Sequence, residues 1–302
     1  MKRMILATTA VVVAAGLAGN ADAARFYLTN GGTLYSGSTG GGGVVSASLG
    51  IGSGLSPAIG FDSKGNLYAA INSGGSSTIH QLSGFENLNA FAPSVGAVIG
   101  TLAAPTNSFD FRGTGTSERL IGTRNGAGSP QYFESTDSTY SAFSDVGAGT
   151  GFGSGPSYPS SGYDRVSGTY WAVTAGTSDA SRSIVTIATG TGIATDTGLN
   201  LTFDGVGDQG DAAYGTIVLA GGDYVESLST YFISFFSQGL GMAVIGSLDL
   251  TTGAFTEEIA FSLAGANEGT MGLEVVIPTP LAGGMSVAGL ALLGVRRRRA
   301  TI

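Results

Sequence analysis

The chain has 302 residues, 21 acidic and 13 basic side chains, one histidine and no cysteine, which excludes disulfide frameworks, thiolate metal sites, cysteine nucleophiles and multi-histidine metal centres. Residues 24–277 hold 20 of the acids and only 7 of the bases, so phosphate-rich partners such as nucleic acid are repelled by the body of the protein. Of the 52 glycines, 46 lie in that same stretch, and at about 1 kcal/mol each relative to alanine they exclude a helical body.

In chain order, the N-terminus reads as a secretory signal peptide over residues 1–23. Lys2 and Arg3 precede an apolar run from Met4 to Gly19, and the small residues of Ala21-Asp22-Ala23 place the cut before Ala24. The expected partners there are the Sec export machinery and signal peptidase. Strands are predicted at Phe26 to Leu28, Leu34 to Ser36 and Val44 to Leu49. From there to residue 277, short β-branched and aromatic runs alternate with glycine, serine, threonine and aspartate turns, the mark of an all-β domain.

Four stretches share an aspartate, a turn and an apolar strand: Gly60-Phe61-Asp62 leading to Leu67-Tyr68, Ser108-Phe109-Asp110 leading to Leu120-Ile121, Gly162-Tyr163-Asp164 leading to Tyr170-Trp171, and Gly210-Asp211 leading to Ile217-Val218. Their aspartates stand 48, 54 and 47 residues apart. A four-stranded propeller blade takes ~40 to 50 residues, and blades must stack on neighbours to bury both faces. With Gly65 to Tyr68 as a Gly-x-Leu-Tyr strand and Asp249 to Gly253 as an Asp-x-x-Thr-Gly turn, the body resembles degenerate β-propeller repeats. That resemblance implies five or six blades over residues 24–277, closed by pairing of the first strands with Gly272 to Ile277. A β-sandwich or jelly roll is the competing architecture, since its strands also recur every ~8 to 12 residues.

The catalytic inventory is small. His80 is the sole side chain of the type that serves as a base near neutrality, and it lies on the polar face of a Thr78 to Leu82 alternation. No Gly-x-Ser-x-Gly nucleophile elbow occurs. Adjacent Glu257 and Glu258 point to opposite faces of a strand and cannot form a glycosidase pair. Gly205-Val206-Gly207-Asp208-Gln209-Gly210 matches a dinucleotide fingerprint, but Asp204, Asp208 and Asp211 oppose phosphate, and Ala212 to Leu219 reads as a strand rather than a helix. Those three aspartates are a candidate Ca²⁺ site, or a solvated acidic turn. Trp171 and Tyr170, with Tyr224, Tyr231, Phe232, Phe235 and Phe236, suit either a β-rich core or sugar-stacking platforms.

The C-terminus runs Pro278-Thr279-Pro280, then Leu281 to Val295 without a charge, then Arg296, Arg297, Arg298 and Arg299. Fifteen residues make about 22 Å of helix, short of the ~30 Å hydrocarbon core, and the basic cluster would stay cytoplasmic. This arrangement resembles the PEP-CTERM sorting signal of exported bacterial proteins, with Thr279 where the family has glutamate. The resemblance implies a sorting signal over residues 278–302, whose apolar helix anchors the chain transiently in the membrane and which is cut near Pro278 to Pro280 by an exosortase-type membrane enzyme. The expectation is a non-enzymatic surface or extracellular-matrix protein. A carbohydrate-binding protein of the exopolysaccharide matrix and a calcium-dependent secreted hydrolase are the alternatives.

Overall fold

The computed structural model describes residues 24–51, 55–125, 130–146, 158–175, 182–203, 214–263 and 271–277. The signal peptide before Ala24 and the sorting segment from Pro278 onward, with Arg296 to Arg299, lie outside the described residues. Arg25–Val276 forms one compact unit. Among the described residues there are strands and two single 3₁₀ turns, and no helix long and apolar enough to cross a membrane.

The strands form five separate sheets, antiparallel but for one added edge strand in the fifth. The first sheet joins β1 (Arg25–Asn30), β2 (Thr33–Ser38) and β3 (Val45–Ser48) to the last strand, β21 (Met271–Val276), in the order β21-β1-β2-β3. The second is β4 (Leu55–Phe61), β5 (Leu67–Ser73), β6 (Ser76–Ser83) and β7 (Ser94–Leu102). The third is β8 (Thr106–Arg112), β9 (Arg119–Asn125), β10 (Pro130–Ser135) and β11 (Phe143–Asp145). The fourth is β12 (Ser160–Asp164), β13 (Thr169–Val173), β14 (Ser183–Ala188) and β15 (Ile193–Asn200). The fifth is β17 (Ile217–Val225), β18 (Thr230–Ser237), β19 (Met242–Leu248) and β20 (Ala254–Phe261), extended by β16 (Thr202–Phe203) in parallel outside β20.

The inner strands β21, β4, β8, β12 and β17 pack side by side in a closed ring. The fold is a five-bladed β-propeller, not a sandwich. The first and last strands close it as expected, in the register Arg25↔Val276 to Asn30↔Met271. Of the strand expected at Ala212 to Leu219, Tyr214 to Thr216 are not strand and Ile217 opens β17, while Ala212 and Ala213 lie outside the described residues.

The blades bury both faces, which explains why their strands read as continuous apolar runs rather than simple alternations. Successive residues serve opposite seams. Ile59 and Leu67 pack with Tyr27 and Leu34 of the first blade, whereas Ala58 and Tyr68 pack with Phe109 and Phe111 of the third. At the fifth seam Phe26 stacks on Phe261 with centroids 5.4 Å apart. Turn chemistry ends the strands. Asp62 Oδ1 accepts the backbone N–H groups of Lys64 and Asn66, and Gly65 supplies the positive φ of 80° that closes this turn.

Candidate functional site

The five inner strands carry an equivalent pair of residues at their ends: Gly60-Phe61, Asp110-Phe111, Gly162-Tyr163, Asp223-Tyr224 and Glu274-Val275. The second residue of each pair packs into a seam or lines it. The first points at the inner strand of the following blade, and at three seams it is a buried acid. Glu274 Oε1 accepts the N–H of Phe61 at 3.1 Å, Asp110 Oδ2 that of Tyr163 at 2.5 Å, and Asp223 Oδ2 that of Val275 at 2.8 Å. At the other two seams the position is glycine, which permits direct approach of the strands. A Cβ on Gly162 would lie 2.4 Å from the backbone nitrogen of Tyr224, and one on Gly60 3.1 Å from the Phe109 ring.

Those two glycine seams are tied differently, from the turns that follow the inner strands. Glu118 accepts the N–H of Ser63 at 2.6 Å, its hydroxyl at 3.0 Å and the Tyr140 hydroxyl at 3.0 Å. In the same relation one seam pair further on, Glu226 accepts the N–H of Arg165 at 3.3 Å. Each of the five seams is therefore spanned by a carboxylate that accepts a backbone N–H from the neighbouring blade.

Arg165 crosses this set. Its Nε donates to the carbonyl of Phe111 at 3.1 Å and its Nη2 to that of Phe61 at 3.2 Å, while Glu226 lies 3.7 Å from Nε. Burial opposes its charge, but Asp110, Glu226, Glu274 and Asp223 outweigh that and hold its pKa above the ordinary value. Burial pushes Asp110 up to about 6, against the pull of Arg165 and of the N–H groups of Tyr163 and Phe111. Burial likewise raises Asp223 and Glu274 well above the carboxylate range, and each is raised further by the other acids. One guanidinium thus serves three buried carboxylates at the ring axis.

No protein-family model matches the chain, and no curated protein matches it. Among solved structures it is similar to TolB from Acinetobacter baumannii (14% identity over 85% of this chain and 58% of that chain, TM-score 0.45). It is also similar to virginiamycin B lyase from Staphylococcus aureus (13%, covering 82% and 73%, TM-score 0.37) and to hydrazine synthase from Kuenenia stuttgartiensis (10%, covering 80% and 65%, TM-score 0.37). The propeller assignment stands on the strand order itself.

The residues singled out by sequence scatter. Asp62 and Asp164 lie two positions beyond the axial site and cap their own turns, Asp164 Oδ1 accepting Val166 N–H at 2.9 Å. Asp110 alone of that set is axial. The fourth member, Asp211, lies with Asp204 and Asp208 outside the described residues, and the axial place in its blade belongs to Asp223. Among the described residues no three acidic or histidine side chains are grouped to hold a metal ion. His80 is half-buried with both ring nitrogens engaged, Nε2 by the Thr78 hydroxyl and Nδ1 by the Gly96 carbonyl, each at 2.9 Å, at a bulge between β6 and β7. Tyr170, Tyr231 and Phe235 are fully buried, and Trp171 packs against the core between the fourth and fifth blades. Glu257 accepts the Tyr214 hydroxyl and Glu258 the Ser247 hydroxyl.

Proposed function

We propose that the chain is an exported surface or extracellular-matrix protein whose propeller is a structural or binding body rather than a catalyst, released by processing at its C-terminal signal. The observation that carries this reading is the rung Arg25↔Val276, which closes the ring just inside both expected cut points, before Ala24 and near Pro278 to Pro280. Trimming at both would remove nothing on which ring closure depends. The use of the buried acids also supports it, because Asp110, Asp223, Glu274 and Glu118 each accept a backbone N–H from a neighbouring blade. Sec, signal peptidase and an exosortase-type enzyme are the partners this reading requires, and exopolysaccharide is the binding partner to test.

Intact mass spectrometry of the protein from envelope and extracellular fractions tests it. The expected species begins at Ala24 and ends between Ile277 and Pro280. A cytosolic protein retaining Met1 and Ile302 would overturn the proposal.

A further inference from the structure

Strand β21 is the one inner strand not joined through chain to the rest of its own blade; β1 reaches it only by hydrogen bonds. Laterally it is gripped by two acids of the axial set, Asp223 holding its Val275 N–H from one side and its own Glu274 holding Phe61 N–H on the other. Asp110 completes the set, and these three are almost fully buried, 5–7% exposed. Charge does not balance there. Arg165 faces Asp110, Asp223, Glu274 and also Glu226. The remaining groups turned toward the set are neutral: the phenols of Tyr163 on β12, Tyr170 on β13 and Tyr231 on β18, and the backbone N–H and C=O of Phe61 on β4. On β1, Tyr27 stands opposite Glu274 in register, while the Arg25 guanidinium is turned away to the carbonyls of Phe85 and Glu86.

We propose that ring closure by β21 is proton-gated: the closed ring keeps a proton on the axial carboxylates, and β21 loosens from blades two and five when that proton is lost. A single arginine cannot offset three desolvated carboxylates. A shared proton removes one charge and lets a neutral carboxyl oxygen still accept the N–H at its seam. When β21 swings out, the acids are hydrated and their pKa values fall toward those of free side chains. Raising the pH through the closed-state range therefore favours the open form. The direction holds for all three acids, since burial raises each of them. Taking Asp110 alone, a rise from 3.8 to about 6 corresponds to a loss of roughly 10²-fold in the closure equilibrium between about pH 3 and pH 7, of which about tenfold falls above pH 5. The proposal is independent of export and processing.

Hydrogen exchange followed by mass spectrometry on the full-length chain, as protection factors between pH 5 and pH 8, provides the test. The β21 peptide is expected to lose about tenfold more protection than β10, which lies far from the closure. Asp223→Asn keeps an acceptor for Val275 and is expected to flatten that pH dependence, and Asp110→Asn gives a second reading should the first variant not fold. Protection of β21 that is constant with pH, or that falls in step with β10, would overturn the proposal. So would a pH dependence undiminished in either variant.

Discussion

At the scale of single residues, the seams explain why so many positions here tolerate only one side chain. Gly162 has no room for a Cβ against the backbone of Tyr224, whereas Gly190 has nothing within 4 Å and no positive φ. Gly162→Ala is expected to lower stability by about 1–3 kcal/mol, the usual cost of overpacking, and Gly190→Ala to stay within about 0.5 kcal/mol. Chemical denaturation of the two variants checks the contrast. Glu118 is fully buried and accepts three donors from two blades. Its removal in Glu118→Ala leaves the buried Tyr140 hydroxyl dry, at about 1–3 kcal/mol, and gives up two charge-assisted bonds from exposed Ser63, whose N–H and hydroxyl turn to water. A loss of about 3 kcal/mol in the same denaturation experiment is expected, with Glu118→Gln, which keeps an acceptor, losing distinctly less.

The residue scale also shows what the sequence concealed. Aspartate has two jobs here, capping the turn after an inner strand and tying a seam within it, and both put Asp near glycine and an aromatic. Aligning Asp62, Asp110, Asp164 and Asp211 therefore mixed the roles, since among the three that are described only Asp110 ties a seam. The signal that separates them was present as an acid or glycine followed by an aromatic or valine at positions 60, 110, 162, 223 and 274. It becomes readable once the inner strands are aligned, which requires knowing which strand of each blade is innermost. Glu118 and Glu226 were beyond sequence altogether, because each acts on a turn some sixty residues away in sequence, Ser63 and Arg165 respectively.

At the scale of elements, the all-β reading, the period near fifty and closure by the two ends followed from local chemistry, because turns and alternating faces are set by neighbours in sequence. The fifth strand of the last blade did not. Thr202–Phe203 leaves the fourth blade and pairs in parallel with β20, with Thr202 N–H donating to the Gly253 carbonyl at 2.8 Å. Gly253 makes this possible: its φ is +80°, and a Cβ there would lie 2.0 Å from the Asn200 carbonyl oxygen. Gly253→Ala is expected to displace β16 from the edge. Faster hydrogen exchange at residues 202–203, with β18 unchanged, is the expected outcome, and unchanged exchange at 202–203 would show that the edge absorbs the clash.

At the scale of the whole molecule, the buried acids set how stability depends on pH. A carboxylate whose pKa is raised by folding contributes its full share below the unfolded value, near 4, and loses it as pH rises through the folded value. For Asp110 that window ends near 6, and Asp223 and Glu274 extend it upward. The midpoint of thermal unfolding is therefore expected to be higher at pH 5 than at pH 8. An excess of acids over bases in residues 24–277 gives a trend of the same sign through general repulsion, so the pH curve alone does not identify the cause. Two substitutions that remove the same unit of charge do. Asp249 is exposed and its pKa is lowered, first by hydrogen bonding to the side chain and backbone of Thr251, whereas Asp223 is buried and raised by desolvation. If repulsion governs, Asp223→Asn and Asp249→Asn raise the midpoint at pH 8 alike. If the axial acids govern, Asp223→Asn raises it and Asp249→Asn leaves it unchanged or lower, which is the outcome expected from where each carboxylate sits.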